Sequence, residues 1–501
     1  MGAFALLQHG FASILGDPII LLYLVIGVAV GLVFGAIPGL TAALGVSLAL
    51  PFTFILSPHQ GLSVLIGIYV GGISGALIAS ILLNIPGSSA TIVTCFDGYP
   101  MAKQGKAQKA LSVAIFASLI GGLVSALALI FLSPIIVRVA LLFGPWEYFA
   151  MGIMGLSVVV SLCSKDMING FMAAIIGALI AMVGIDPVSA AQRFTFGQWQ
   201  LSAGFALLPT LMGLFAFSEI LVQLHSLKDK GEGFKVEKLS MKMPLHLLKE
   251  FPKDFAIGTF VGSFVGVLPG VGQSTASLLA YNQARFASKN PEKFGTGCEE
   301  GLISSETANN ACCGGSLVPT MTLGIPGDLV TAILLGGLIV HGLQPGPLLF
   351  ANSPDVVGVV FITYFLSNVI MYVMLLGLIG VFAKMIEVPK QCLYPILLLM
   401  CVVGTFAVNS RLFDSYVLLG IGIVGYCLVR DDFSLPPIVL GYVLGPIIET
   451  NFRTAVITTR GSVLPLFSRP IAMGMLLFAT FMVCWPFVHK AIKGRKAKST
   501  E

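Results

Sequence analysis

Apolar residues run along this chain in long blocks rather than in the short periodic patches of a soluble domain. Leu21–Phe34, Leu111–Phe131 and Val356–Phe382 are nearly unbroken. A helix rises about 1.5 Å per residue, so roughly 20 residues cross the hydrocarbon core of a bilayer. About a dozen blocks approach this length. The pattern predicts an all-α polytopic membrane protein of about 10–12 transmembrane helices, some of them broken into re-entrant half-helices.

The breaks fall in pairs. Ile37-Pro38-Gly39 interrupts one apolar stretch and Leu268-Pro269-Gly270 another. Ile85-Pro86-Gly87 recurs as Ile325-Pro326-Gly327. The offsets are 269 − 38 = 231 and 326 − 86 = 240. Gly31 and Gly35 share the first offset with Gly262 and Gly266, and Gly75, Leu77 and Thr91 share the second with Gly315, Leu317 and Thr331. The chain is therefore read as two related copies, with the nine extra residues placed in the loop Arg285–Glu300. Inverted topology is the expected relation between them. The organisation predicted is a first transmembrane repeat over 1–145 and connecting spans with a charged loop over 146–254. A second repeat covers 255–387, and C-terminal scaffold spans with a basic tail cover 388–501.

Composition agrees with the pattern. Of 501 residues, 56% are hydrophobic and 10% charged, against about 25% charged in soluble domains. The net charge of +5 is no nucleic-acid signature. Its basic residues sit in short loops and in the tail Lys490, Lys493, Arg495, Lys496 and Lys498, which predicts a cytoplasmic C-terminus beside the lipid bilayer. The nine cysteines (Cys95, Cys163, Cys298, Cys312, Cys313, Cys392, Cys401, Cys427 and Cys484) form no CxxC pair and read as small buried residues. The first apolar stretch lacks a basic leader and is expected to stay in the protein.

Proline and glycine end a helix, expose carbonyls on one side and start a new helix with unpaired N–H groups on the other. Such an N-terminus attracts an anion, and freed carbonyls and hydroxyls suit a cation. Candidate substrate contacts are Gly39, Leu40, Thr41, Asn84, Gly87, Ser88, Ser89, Gly270, Gly272, Gln273, Ser274 and Thr275. Candidate ion contacts are Glu306, Asn309, Asn310, Gly327 and Asp328. Polar groups in lipid are costly unless paired or facing a cavity, which singles out the run Ser304–Asn310. The matching first-copy stretch Ile66–Val70 reads as apolar. Asp328 also suits a helix N-cap. No structural metal or organic cofactor is expected, only a coupling cation, Na+ or H+.

An enzyme reading rests on Gly72-Ile73-Ser74-Gly75, which matches the GxSG of intramembrane serine proteases, with His341 as a base. The second copy has Cys313-Gly314-Gly315 there, which makes Ser74 a small packing residue. No nucleotide-binding loop is present.

Gly35–Leu50, Gly71–Gly98 and Gly262–Leu349 resemble the large membrane subunit of the tripartite tricarboxylate transporters, the TctA family. The likeness is carried by Gly35-Ala36-Ile37-Pro38-Gly39-Leu40-Thr41, Gly266-Val267-Leu268-Pro269-Gly270-Val271-Gly272, Glu306-Thr307-Ala308-Asn309-Asn310-Ala311 and Leu323-Gly324-Ile325-Pro326-Gly327. It implies a bacterial inner-membrane importer of tri- or dicarboxylates driven by Na+ or H+ without ATP. It also implies two partners, a periplasmic solute-binding protein and a small four-span membrane subunit. Where the family places proline before the glutamate, this chain has Ser305, so local geometry there is expected to differ. A stand-alone organic-anion channel or exporter is the alternative.

Overall fold

Helices dominate the computed structural model, which describes residues 2–163, 167–225, 243–384 and 390–498. The centre of the charged loop and the side chains of the basic tail lie outside the described residues. Six described helices are long and apolar enough to cross a membrane, among them Ile19–Ala36, Pro58–Leu83 and Pro354–Lys384. Six shorter apolar helices accompany them, including Ala42–Thr53 and Leu329–Val340. The helical stretch Ser89–Ala140 counts 52 residues, more than twice what a bilayer needs. Gly105, at φ 78°, turns the chain within it and divides Ile92–Met101 from Ala107–Ala140. Large apolar side chains such as Leu15, Phe260 and Leu399 face outwards, as a lipid-immersed body requires and a soluble one avoids.

The chain divides into two compact units. One comprises 1–138, 207–267 and 272–426, and the other 139–206, 268–271 and 427–501. Both sequence copies lie mainly in the first unit. There each copy builds a hairpin on a glycine stripe, the glycines allowing backbone to touch backbone. In the first copy, Ile19–Ala36 packs on Pro58–Leu83: a Cβ on Gly31 would lie 2.5 Å from the Ile68 carbonyl oxygen, and one on Gly35 would lie 2.4 Å from that of Gly72. In the second, Pro252–Val267 packs on Glu299–Leu323, where Gly262 meets Ala308 and Gly266 meets Cys312, each at 2.5 Å. The partners Ile68 and Ala308, and Gly72 and Cys312, stand 240 residues apart. The repeat read in sequence is thus a repeat of contacts.

The long helices Pro58–Leu83 and Glu299–Leu323 are equivalent in the two copies and run antiparallel. Tyr69, near the middle of the first, bonds Asp328 just beyond the end of the second. Ser74 and Asn310 meet midway, at 2.7 Å. Thr94, beyond the end of the first, bonds Glu306 early in the second. Equivalent helices of opposite direction are what an inverted repeat produces.

The second unit contains Pro145–Cys163, Met167–Ala181, Leu435–Thr458 and Pro470–Lys498. A two-residue-per-strand antiparallel ribbon pairs Gly184 with Arg193. Asp186 accepts from Arg453 Nη1 at 2.7 Å and pairs with Arg193 at 2.9 Å, and Arg193 also pairs with Glu449 at 2.8 Å. The Ser189 hydroxyl, the Arg453 guanidinium and the Val188 N–H hold the Asp186 carboxyl well below the usual carboxylate range. Arg469 pairs with Glu147 beside the Trp146 cluster.

Candidate functional site

The four Pro-Gly breaks are two kinds of turn, each built twice. At the first kind, Leu40 N–H donates to the Ile37 carbonyl and Val271 N–H to that of Leu268, at 3.1 and 3.5 Å. Gly39 and Gly270 take φ of 89° and 70°, a left-handed conformation that a side chain resists. Thr41 then caps the helix Ala42–Thr53, accepting from Leu44 N–H at 3.2 Å. Gly272, at φ 71°, opens Gly272–Ala287.

At the second kind of turn, the long helices end on left-handed caps, Asn84 (φ 58°) and Gly324 (φ 72°). Gly87 N–H donates to Ser80 Oγ and Gly327 N–H to Thr320 Oγ1, both at 3.4 Å. Gly87 abuts Ala76 and Gly327 abuts Ser316, where any side chain would clash. Ser88 N–H donates to Thr91 Oγ1 and Asp328 N–H to Thr331 Oγ1, at 3.2 and 2.9 Å. A new helix starts immediately after each. Asn84 therefore serves as a cap, its side chain exposed.

The sequence-predicted residues fall into separate clusters. Asp328 is buried, and its Oδ1 accepts from Thr331 N–H at 2.7 Å and from the Thr331 hydroxyl at 2.8 Å. Its Oδ2 accepts from the Tyr69 hydroxyl and the Gln273 amide. Every neighbour named is a hydrogen-bond donor. Ser89 and Ser274 share a hydrogen bond of 2.7 Å, which joins a first-copy tip to a second-copy helix start. Thr275 lies half-buried in that same first turn. Glu306 is fully buried and accepts from the Thr94 and Ser118 hydroxyls. Asn310 is held within the scaffold, its Oδ1 accepting from Ser74 and its Nδ2 donating to the Glu306 carbonyl. Asn309 is 1% exposed, and its side-chain amide faces the Glu306 carboxylate one turn earlier in the same helix. Gly270 belongs to the second unit, where it lies against Val159 and Leu440.

Two findings depart from the sequence reading, the use made of Tyr69 and the polar pair Glu219 and Gln223. The Ile66–Val70 stretch is not wholly apolar in use, because the Tyr69 hydroxyl reaches Asp328. An aromatic ring reads as core, yet the 240-residue offset already set Tyr69 opposite Asn309. Ser305 leaves the backbone helical, its hydroxyl folding back onto the Gly301 carbonyl at 2.8 Å. Glu219 and Gln223 were not singled out. They lie in the span Leu207–Leu224, just after a π-turn at Gly213–Phe217, and Gln223 covers Gly39. Their signal was an acid and an amide one helical turn apart within an apolar block. Ser74 gives its hydroxyl to Asn310, and the His341 ring packs on Gly61.

Helix breaks and buried polar groups inside an apolar, almost wholly helical body define an all-α polytopic membrane protein. Comparison with known proteins agrees. The chain belongs to the Tripartite tricarboxylate transporter TctA family, which residues 21–440 match, and so is a tricarboxylate transporter subunit. It is 35% identical over 470 residues, covering 94% of this chain and 93% of the relative, to an Agrobacterium vitis protein described as a 52.8 kDa protein in the TAR-I ttuC' 3' region. A second Agrobacterium vitis protein, in the TAR-II ttuC' 3' region, is 37% identical over 210 residues, 42% of this chain and 87% of that one. No solved structure matches the chain.

Proposed function

We propose that this chain is the translocation subunit of a binding-protein-dependent importer of tri- or dicarboxylates, coupled to Na+ or H+ and set in a bacterial inner membrane with its C-terminus in the cytoplasm. The observation that carries the reading is the junction of helix starts, Ser89 with Ser274 across the two copies and Asp328 with Gln273 within the second, inside a member of a tricarboxylate-transporter family. Helix starts of opposite direction offer N–H groups and hydroxyls to a carboxylate from both sides of a membrane midplane. Glu306 serves the coupling ion. It is buried among neutral partners, the Thr94 and Ser118 hydroxyls and the Asn309 amide, and a carboxyl so placed gains by taking up a cation or a proton. A solute-binding protein delivers the substrate, and a small four-span subunit completes the complex, as the family implies.

Uptake of radiolabelled citrate and smaller acids, by cells expressing the chain with its gene neighbours, tests this. Uptake should require a gradient of Na+ or H+ and the binding protein. Uptake that persists without either gradient, or normal uptake by both Asn309→Ala and Ser274→Ala, refutes the reading or the site respectively.

A further inference from the structure

The second copy carries a long loop over 288–298, where the first copy turns within Phe54–Ser57. That loop closes on Asp97. This carboxyl stands on Ile92–Met101, the half-helix behind the first-copy tip, and is 1% exposed. Its Oδ1 accepts from the N–H groups of Gly295, Gly297 and Cys298, at 2.9, 2.8 and 2.9 Å. Its Oδ2 accepts from the Tyr281 hydroxyl at 2.9 Å. Gly295 and Gly297 take φ of 87° and 102°, a backbone that a side chain would resist and that turns the loop around the acid. Gln104 adds a bond to the Thr296 carbonyl at 2.8 Å, and Lys109 pairs with Glu299. Hydrogen bonds to an ionised group are about twice as strong as neutral ones, so a carboxylate with this many donors is a firm joint.

The joint grips both partners of the Glu306 contact. Thr94, which donates to Glu306, stands one turn before Asp97 on the same half-helix. Cys298, whose N–H Asp97 accepts, is the N-cap of Glu299–Leu323, and Glu306 follows about two turns later on that helix. The other copy shows what the joint is for. By the offset of 240, Thr94 and Asp97 correspond to Leu334 and Gly337, and Glu306 corresponds to Ile66. Leu334 and Ile66 are buried and apolar, and a Cβ on Gly337 would lie 2.9 Å from Leu65 Cδ1. The equivalent half-helix Leu329–Val340 forms there without the clamp. Hydroxyl, buried acid, clamping carboxylate and long loop stand together in one place, and all four are replaced in the other. The clamp therefore accompanies the acid, not the half-helix fold as such.

We propose that Asp97 is a positioning residue for the coupling-ion site: by fastening the half-helix Ile92–Met101 to the start of Glu299–Leu323, it holds the Thr94 hydroxyl on the Glu306 carboxyl. The inference rests on the reading of Glu306 as the group that serves the coupling ion. Asp97 itself touches neither ion nor substrate. A loosened half-helix takes the Thr94 oxygen away from a bound Na+, or a hydrogen-bond partner away from a protonated acid. Either way the ion is held less tightly. Removing a group that orients an ion's ligands typically costs about 10–100-fold in affinity.

Uptake of radiolabelled citrate, by cells expressing the full chain with its gene neighbours, is measured against Na+ at fixed pH and against pH at fixed Na+. Asp97→Ala should raise the half-saturating cation concentration about tenfold or more. Asp97→Asn keeps an oxygen for the three N–H groups, and the Tyr281 hydroxyl can turn to accept from its amide, so this variant should stay within about threefold of the wild type. An influence of the Asp97 charge alone would shift both variants alike. Thr94→Val should also shift the half-saturation, and adding Asp97→Ala to it should change little more, because the contact is already gone. Should Asp97→Ala not fold, Gly297→Ala, which puts a side chain on the loop at φ 102°, takes its place and should shift the half-saturation in the same direction. Unchanged half-saturation in the variant that folds, equal shifts in Asp97→Ala and Asp97→Asn, or shifts that multiply in the double variant would overturn the inference and leave Glu306 in its role. Wild-type uptake that saturates with neither cation overturns the Glu306 reading itself.

Discussion

Replacing Tyr69 by phenylalanine removes one oxygen atom from the junction between the copies. That hydroxyl donates to Asp328 and accepts from the Gln273 amide at 2.9 Å. A hydrogen bond to a carboxylate contributes about 1.5–3 kcal/mol, and burial makes its loss costly. Local opening of the second-copy tip should become easier by about that amount, which is roughly ten- to a hundredfold in the open population. The chain carries its own reporters. Cys312 and Cys313 are buried on the adjacent helix, and Cys313 Sγ lies 3.7 Å from the Gln273 amide nitrogen. With the other seven cysteines replaced by serine, a thiol-reactive dye that fluoresces on alkylation follows the opening at 25 °C in detergent. Tyr69→Phe should be alkylated about ten to a hundred times faster. In a cycle with Asp328→Asn, the double variant should be less perturbed than the sum of the singles, by about 0.5–3 kcal/mol. Unchanged labelling in Tyr69→Phe, or strict additivity, would refute the claim that this hydroxyl locks the tip.

Glu306→Gln keeps the size of the side chain but removes its capacity to take up a cation; citrate uptake by whole cells should fall at least tenfold with normal chain abundance, and unaltered uptake denies Glu306 the coupling role. Gly266→Ala sets a methyl 2.5 Å from the Cys312 carbonyl oxygen and should cost about 1–3 kcal/mol by forcing the hairpin apart. Gly420→Ala, in the helix Leu412–Arg430 with nothing within 4 Å, should be neutral or stabilising by about 0.5–1 kcal/mol; melting temperatures measured side by side separate the two. The lowered Asp186 pKa means that its ion pairs stabilise the fold above the ordinary carboxylate pKa of about 3.9 and are lost as pH falls below it through the folded value. Hydrogen exchange of Gly184–Arg193 should be slow at pH 6 and accelerate, after correction for intrinsic rates, below pH 4; Arg453→Gln should remove most of that difference.

Much of this architecture was legible because helix breakers in an apolar stretch have few uses. Pro38, Pro86, Pro269 and Pro326 marked the turns, and two constant offsets made them a repeat. The same offsets return as paired contacts, down to Gly35 on Gly72 and Gly266 on Cys312. What stayed hidden depends on which groups meet across the copies. Nothing local in Tyr69 says that its hydroxyl finds a carboxylate 259 positions away. Asn309 and Asn310 look interchangeable in sequence, yet Asn310 takes the Ser74 hydroxyl while the Asn309 amide faces the Glu306 carboxylate. The assignment of the turn Leu268–Val271 to a different unit from its flanking helices follows from packing against Val159 and Leu440, which no periodicity records.

The antiparallel crossing has a consequence for how the chain is made. The pairs that satisfy its buried polar groups, Tyr69 with Asp328, Ser74 with Asn310 and Thr94 with Glu306, are separated by 259, 236 and 212 positions. At roughly 5–20 residues per second, a ribosome needs on the order of 10–50 s to deliver the second member of each. Throughout that interval the newborn first half stands in the membrane with its phenol and hydroxyls unanswered. Insertion machinery or a bound chaperone must shelter it, and a chain terminated between the halves should be a substrate for membrane quality-control proteases rather than half a transporter.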